Sequence, residues 1–258
     1  MLKYGVLGSG IGYTLSPKIH SIVFDKLGVN ASYDVIDLPT DGLPLEIKRL
    51  KDEYDGFNVT KPFKTEIIKH LDEVKCSLGA VNTVRRENGT FVGYNTDVKG
   101  FYLSLTHMTG EIKGQSTLVL GAGGASEAVI SALVTAGADV SVNNRTTVKA
   151  VALADKYHIK VWNGEKPTVI INATSLGLDG ISNPLPNGVD TSECKYAYDL
   201  IYKPSETPFM TFCKKAGAKV SNGLGMLVYQ AILADEIFLG QSLDVDGLYE
   251  EIMKIIVE

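Results

Sequence analysis

Cysteine, tryptophan and cationic side chains are all scarce in this chain. Its 258 residues include three cysteines and a single tryptophan. Cys76, Cys194 and Cys213 are far apart and form no CxxC pair, so a disulfide-stapled domain is excluded. They show no zinc-ligand spacing with His20, His70, His107 or His158, and no metal site is expected. Lys and Arg number 25 against 30 Asp and Glu, a formal net charge of −5. That balance argues against a nucleic-acid groove or an anionic membrane surface as partner, while leaving room for a local pocket for a small anion. No segment approaches ~18 uninterrupted apolar residues, and the first residues lack a basic stretch leading into an apolar core. These absences predict a protein of the reducing cytoplasm.

What is present is ample material for cores: hydrophobic residues make up 45% and charged residues 21%. Apolar, β-branched runs alternate with helical patterns almost throughout, the signature of βαβ units and largely parallel sheets in an α/β fold. The first half reads as strand "YGVLGS", helix "SPKIHSIVFDKLG", strand "SYDVIDL", helix "LPLEIKRLK", strand "GFNV" and helix "FKTEIIKHL", then a hairpin around Asn88-Gly89. The second reads as strand "STLVLG", helix "SEAVISALVTAG", strand "DVSVNN", helix "TVKAVALADKY" and strands "KVW" and "TVIINAT". Strand "YAYDLI", helix "TPFMTFCKKAG", strand "AKV" and two closing helices complete it. The break between halves is expected near "GFYLSLTHMTGEIKGQ".

Two glycine clusters compete for a nucleotide. A dinucleotide site needs its glycines at the strand-to-helix turn, where backbone can approach a pyrophosphate resting on the helix N-terminus. Gly121, Gly123 and Gly124 follow strand "TLVL" directly, and Ser126 fills the third small position. At the other cluster, Gly8, Gly10 and Gly12 are followed by Tyr13, and the helix waits for Pro17 behind Ser16 as N-cap. The nucleotide is therefore assigned to Gly121, Ala122, Gly123, Gly124 and Ala125. A lone glycine motif is weak evidence, and the next strand sharpens it. NAD sites end that strand in an acid for the ribose hydroxyls, whereas Asn144, Arg145 and Thr146 stand here, 23 to 25 positions beyond Gly121. With Lys149 one turn on, this set favours a 2′-phosphate and hence NADP(H).

A second constellation is polar. Alternation places Asn58 and Thr60 on one face of a strand, and Lys64 is expected in the first turn of the helix after Pro62. A lysine there meets the positive end of the helix dipole, which lowers its proton affinity. The Asn88-Gly89 pair predicts a two-residue type I′ hairpin in which Glu87 faces Thr90. Counting back sets Asn82 opposite Asn95 and puts Asn82, Asn95 and Asp97 on one side of the ribbon. Two amides and a carboxylate are poor core material and suit a polyol. A slip of one residue would scatter them.

From Gly8 to Gln230 these motifs, in this order, resemble the shikimate dehydrogenase family. The resemblance rests on "TLSPKIH", "NVTKPFK", "GAVNT" followed by "GYNTD", "GAGGA", Asn144-Arg145-Thr146, "NATSLG", "DLIY" with Tyr202, and "NGLGMLVYQA" with Gln230. It implies NADPH-dependent reduction of 3-dehydroshikimate to shikimate on the chorismate route to aromatic compounds. It further implies an N-terminal α/β substrate domain and a Rossmann-type NADP-binding domain with a cleft between them. The substrate domain would span 1–100, rejoined by the helices of about 226–258, and the nucleotide domain 101–225. The implied substrate ligands are Thr14, Ser16, Thr60, Lys64, Asn82, Asp97, Tyr202 and Gln230, with Lys64 and Asp97 as the proton-transfer pair. The glycines before Thr14 would let Thr14 and Ser16 meet the substrate carboxylate. Cofactor contacts carry over to Gly121 through Ala125, Asn144, Arg145, Thr146, Lys149, Leu200, Gly223 and Met226. The chain departs from the family at Thr14, where serine is common, at Val98, where glycine is usual, and at Glu127, whose carboxylate is expected to weaken cofactor binding. A quinate/shikimate dehydrogenase with relaxed cofactor choice, a non-catalytic binding homologue and a methylene-tetrahydrofolate dehydrogenase are the rival readings. The last lacks the "TLSP" and "NVTKPFK" loops. A monomer and a homodimer are equally compatible with the sequence.

Overall fold

The computed structural model describes residues 1–257. In chain order the elements are β1 (Leu2–Gly8), α1 (Ser16–Leu27), β2 (Ala31–Asp37), α2 (Leu43–Glu53), β3 (Gly56–Val59), a short 3₁₀ turn (Glu66–His70) and β4 (Glu73–Val74). The hairpin strands β5 (Thr83–Glu87) and β6 (Thr90–Tyr94) lead into α3 (Asp97–Thr109), β7 (Ser116–Leu120), α4 (Gly124–Thr135), β8 (Asp139–Asn143) and α5 (Thr147–Tyr157). Then come β9 (Lys160–Val161), β10 (Val169–Asn172), β11 (Tyr196–Asp199), α6 (Pro208–Lys215), β12 (Lys219–Ser221), α7 (Leu224–Leu239) and α8 (Val245–Val257). The chain divides into two compact units, Met1–Asp97 with Leu227–Glu258, and Val98–Met226. Among the described residues, no helix is long and apolar enough to cross a membrane.

The first unit holds a mixed sheet in the order β2-β1-β3-β5-β6-β4. β1 pairs in parallel with β2 and β3, and the β5–β6 hairpin joins β3 antiparallel. One side packs Leu7, Phe57, Val59 and Val84 against Leu43 and Leu50 of α2. On the other, Tyr4 meets Phe24 of α1 and Ala234 and Phe238 of α7. The late helix is thus part of this core.

In the second unit all six strands run parallel, in the order β12-β11-β10-β7-β8-β9. The order reverses direction between β7 and β10, the place where an open α/β sheet binds ligands at its carboxyl edge. β7 shows why it is central: Thr117 through Leu120 are all buried, as a parallel strand covered on both faces requires. Leu118 and Leu120 belong to the core beside α6, whereas Val119 belongs to the core beside α4 and α5.

Two sequence expectations are corrected, and one helix is added to those the pattern indicates. The stretch near which the break between halves is expected is largely a 13-residue helix, α3, whose Phe101, Leu105 and Met108 are buried. Their spacing of four and three places them on one helix face. The expected helix "FKTEIIKHL" is a run of turns followed by a five-residue 3₁₀ segment. Helix α1 begins at Ser16 with Leu15 at its N-cap and no side-chain cap, so Ser16 is not the capping residue.

Candidate active site

The loop between β1 and α1 is shaped by close approaches. A Cβ on Gly8 would lie 2.5 Å from Thr60 Cγ2, so only glycine lets β1 end this near Thr60. Gly10 turns with φ +66°, in the left-handed region that favours glycine. The Asp37 carboxylate, at the end of β2, then accepts the N–H groups of Gly10 (2.7 Å) and Ile11 (3.0 Å). The loop delivers Thr14 and Ser16 as a coupled pair. Thr14 Oγ1 donates to Ser16 Oγ (3.0 Å) and accepts from the Ser16 N–H (3.2 Å). The threonine methyl leaves that hydroxyl pairing intact.

Lys64 and Asp97 come together, but not by the elements the sequence suggested. Lys64 lies in the turns before the 3₁₀ segment and is anchored by its carbonyl, which accepts from the Val81 N–H (2.8 Å). No α-helix begins there, so the helix-dipole argument for this lysine falls away. Asp97 instead opens α3, where the partial positive charge of a helix N-terminus favours its carboxylate. The Lys64 ammonium donates to Asp97 Oδ2 at 2.7 Å, and the two side chains retain 32% and 13% exposure. The contact can therefore be reached from solvent.

The hairpin register is the expected one: Glu87 pairs with Thr90, and Asn88 and Gly89 both have positive φ. The ladder ends at Thr83–Tyr94, and just beyond it Asn82 Nδ2 donates to Asp97 Oδ1 (2.9 Å) and Gln230 Oε1 (3.4 Å). Asn95 does not join this face. Its Nδ2 donates to the Ala80 carbonyl (2.8 Å) and its Oδ1 accepts the Asp97 N–H (3.0 Å). The ribbon has already given way to α3, so period-two alternation no longer governs Asn95 and Asp97. Thr60, half-buried, continues from β3 beside Gly8. Lys64, Asn82, Asp97 and Gln230 form one contiguous polar cluster within the first unit.

In the second unit a cavity of about 660 Å³ lies at the carboxyl ends of β7, β8 and β10. Gly121, Ala122, Gly123, Asn144 and Arg145 line it. Gly121 has φ +112°, and a Cβ there would meet Ser126 Oγ at 2.9 Å, which explains both the glycine and the small residue at 126. Gly123 and Gly124 face open space at the start of α4. Among the lining residues Arg145 alone is charged and none is acidic. This donor set fits a polyanionic nucleotide: exposed backbone at a helix N-terminus, amides and one guanidinium. Ala125, Thr146 and Lys149 are exposed residues of α4 and the segment opening α5, outside the lining. Glu127 corrects an expectation, because its Oε1 accepts from Lys156 Nζ (2.5 Å) and Tyr157 OH (3.1 Å). Its charge is compensated on α5 and it does not line the cavity.

Tyr202 and Leu200 follow β11 in the second unit, and Gly223 lies against Leu200 so closely that a Cβ would be 2.0 Å from the Leu200 carbonyl oxygen. Met226 and Val98 pack on the core beside α4. Sequence reasoning missed Asp37, and it missed Thr174, Ser175 and Leu176 with the 183–187 loop as cavity walls. The "NATS" stretch was a signal for the former group of walls; an acid at a strand end is too common to be one.

Known families match over both units. Residues 6–84 match the shikimate dehydrogenase substrate binding domain, and residues 104–174 match the shikimate / quinate 5-dehydrogenase family. The chain is 39% identical to a shikimate dehydrogenase (NADP(+)) of Caldanaerobacter subterraneus, covering 96% of this chain and 95% of that one. Its structure is similar, with a TM-score of 0.91 at 37% identity, to shikimate 5-dehydrogenase from Thermus thermophilus in complex with NADP(H) and shikimate, over 98% of this chain and 99% of that chain. It is also similar, at TM-score 0.84 and 32% identity, to a 5-ketofructose reductase of Gluconobacter, over 98% of each chain.

Proposed function

Because the chain belongs to the shikimate dehydrogenase family, we propose that it is an NADP(H)-dependent oxidoreductase that interconverts 3-dehydroshikimate and shikimate. We assign it the reductive direction, on the route to chorismate and aromatic amino acids. The observation that carries this reading is the Lys64–Asp97 contact at 2.7 Å, joined by Asn82 and Gln230. When bound, the reduced nicotinamide supplies the hydride that adds to the ketone carbon. Negative charge then builds on the ketone oxygen, and Lys64 gives it a proton from Nζ. Asp97 orients that ammonium through the 2.7 Å contact, and Lys64 Nζ, which retains access to solvent, regains its proton from water afterwards. Asn82, Asp97, Thr60 and Gln230 hold ring hydroxyls in this reading, and the Thr14–Ser16 hydroxyls hold the carboxylate. Gly121 through Ala125 would hold the pyrophosphate, and Leu200, Gly223 and Met226 are further cofactor contacts in this reading. Asn144, Arg145, Thr146 and Lys149 take the 2′-phosphate.

Steady-state oxidation of shikimate and quinate with NADP⁺ and NAD⁺, alongside reduction of 5-ketofructose with NADPH, tests this. Shikimate with NADP⁺ is expected to be the best pair, with kcat/KM at least about tenfold above that with NAD⁺, since the Arg145 guanidinium pairs with the extra phosphate. Turnover of 5-ketofructose with no oxidation of shikimate would overturn the substrate assignment. Equal use of both nicotinamide carriers would overturn the role given to Arg145.

A further inference from the structure

Beneath Asn82 lies a chain of buried hydrogen bonds whose directions are set by backbone groups at both ends, with the Thr96 hydroxyl beside it accepting from Asn82 Nδ2 (2.9 Å). Asn82 Oδ1 accepts the backbone N–H of Thr96 (2.8 Å), a group that can only donate, so the oxygen must face Thr96 and the NH₂ must face Asp97. The same oxygen accepts from the Thr83 hydroxyl (3.0 Å). That hydroxyl accepts in turn from Asn58 Nδ2 (3.1 Å), which also donates to the Asn82 carbonyl (3.2 Å), a group that can only accept. Asn58 Oδ1 then accepts from the Tyr33 hydroxyl (2.7 Å). Asn58, Asn82, Thr83 and Thr96 are at most 6% exposed, so water does not offer alternative partners. Burial, with a further push from Asp235, holds the Tyr33 phenol well above its ordinary range, which keeps it a donor. The tyrosine ring is stacked on His20 (centroids 4.0 Å apart, planes at 13°), and His20 Nδ1 is 2.7 Å from Asp235 Oδ1.

We propose that Tyr33, Asn58 and Thr83 are positioning residues for the reaction: they run protons one way, from β2 through β3 to β5, and so lock the Asn82 amide with its NH₂ toward Asp97. The proposal rests on the functional reading of Asn82 and Asp97 given above. An Asn82 amide turned over would aim its oxygen at the Asp97 carboxylate and its NH₂ at the Thr96 N–H. Both contacts would be repulsive. Two donors hold the amide against that, and the Thr83 hydroxyl is the one a side-chain change can remove. Thr83 has a single proton; Asn58 already donates to its oxygen, and Asn82 Oδ1 at 3.0 Å is a nearer acceptor for that proton than the Thr96 hydroxyl at 3.5 Å.

Thr83→Val keeps the shape and deletes the hydroxyl. It is expected to lower kcat with shikimate about tenfold, the loss of one hydrogen bond to a buried group, while the KM for NADP⁺ stays unchanged. Thr83→Ser should restore the rate. The decisive comparison is Thr83→Val in an Asn82→Ala background. There it should cost nothing further, because the hydroxyl acts through Asn82. An equal loss in both backgrounds would overturn the proposal and leave Thr83 a packing residue. Asn58→Asp is a second route, since a carboxylate at 58 would draw the Thr83 proton away from Asn82, and it should mimic Thr83→Val and add nothing to it. Side-chain amide ¹⁵N–¹H resonances of the whole protein, with Asn82 assigned by its substitution, read the same amide without turnover. A shift of the Asn82 pair in Thr83→Val is expected, and an unmoved pair would sink the relay even if the wild type proved to use another substrate. Absence of shikimate turnover in the wild type would instead count against the functional reading alone.

Discussion

Lys64 owes its position to a backbone tether and a carboxylate, not to a helix end. Its carbonyl is held by the Val81 N–H, and its ammonium by an acid that itself starts α3. Replacing Lys64 with Ala removes the proposed proton donor while leaving the substrate hydroxyl contacts in place. The expected result is a fall in kcat of about 10²–10⁴-fold with the KM for shikimate changed far less, read from steady-state kinetics. Near-normal kcat would exclude the role. Residues of this kind were legible in the sequence where a local rule fixed their geometry. The Asn88-Gly89 turn sets the β5–β6 register, and the register brings Asn82 to the end of the ladder near Asp97. Tyr33, Asn58 and Thr83 carry no such rule, because their meeting depends on the sheet order β2-β1-β3-β5, in which the Tyr33 side chain reaches across β1. The same holds for His20 and Asp235, which lie 215 positions apart.

At the scale of elements, strand and helix patterns were readable wherever period and capping agreed. Helix α5 and strand β3 occupy the stretches their patterns indicated, Thr147–Tyr157 and Gly56–Val59. Helix α3 escaped because Gly100, Ser104, Thr106 and Thr109 dilute its apolar stripe, although Phe101 and Leu105 are fully buried. The 63–71 stretch erred the other way: its helical composition yields to the tether at Lys64 and to Phe63 and Ile67 packing beneath α2. The weight of α3 can be measured. Phe101 is fully buried and meets Tyr198 edge-on, with ring centroids 5.5 Å apart. Phe101→Ala should lower the unfolding free energy by about 3–5 kcal/mol, read by urea denaturation. A loss below about 1 kcal/mol would mean that the helix is dispensable to the core.

Across the whole molecule, the fold class was the most legible feature, since alternating β and α patterns leave few topologies. Which unit claims the last helices was legible only through the family resemblance, because the apolar pattern of a helix carries no address. The structure joins them to the first unit through Phe238, Ala234 and Asp235. Asp235 has a consequence for pH. Burial raises its carboxyl above the ordinary carboxylate value, partly offset by His20. The folded protein therefore keeps this proton to higher pH than the unfolded chain does, and the stability it contributes is complete below the unfolded value. That contribution is lost as pH rises from there through the raised folded value. Thermal unfolding of wild type and Asp235→Asn across this window should show the wild type losing ground to the variant as pH increases. A constant difference would refute the assignment.

The discontinuity of the first unit also sets an order of events at the ribosome. Residues 98–226 are contiguous, so the second unit has its full set of strands before synthesis is complete. The first unit must wait, with Tyr4, Phe24 and His20 uncovered, until α7 emerges to supply Ala234, Asp235 and Phe238. Nascent chains arrested before Leu227 should accordingly protect the later-made half from protease while the earlier-made half is still being cut.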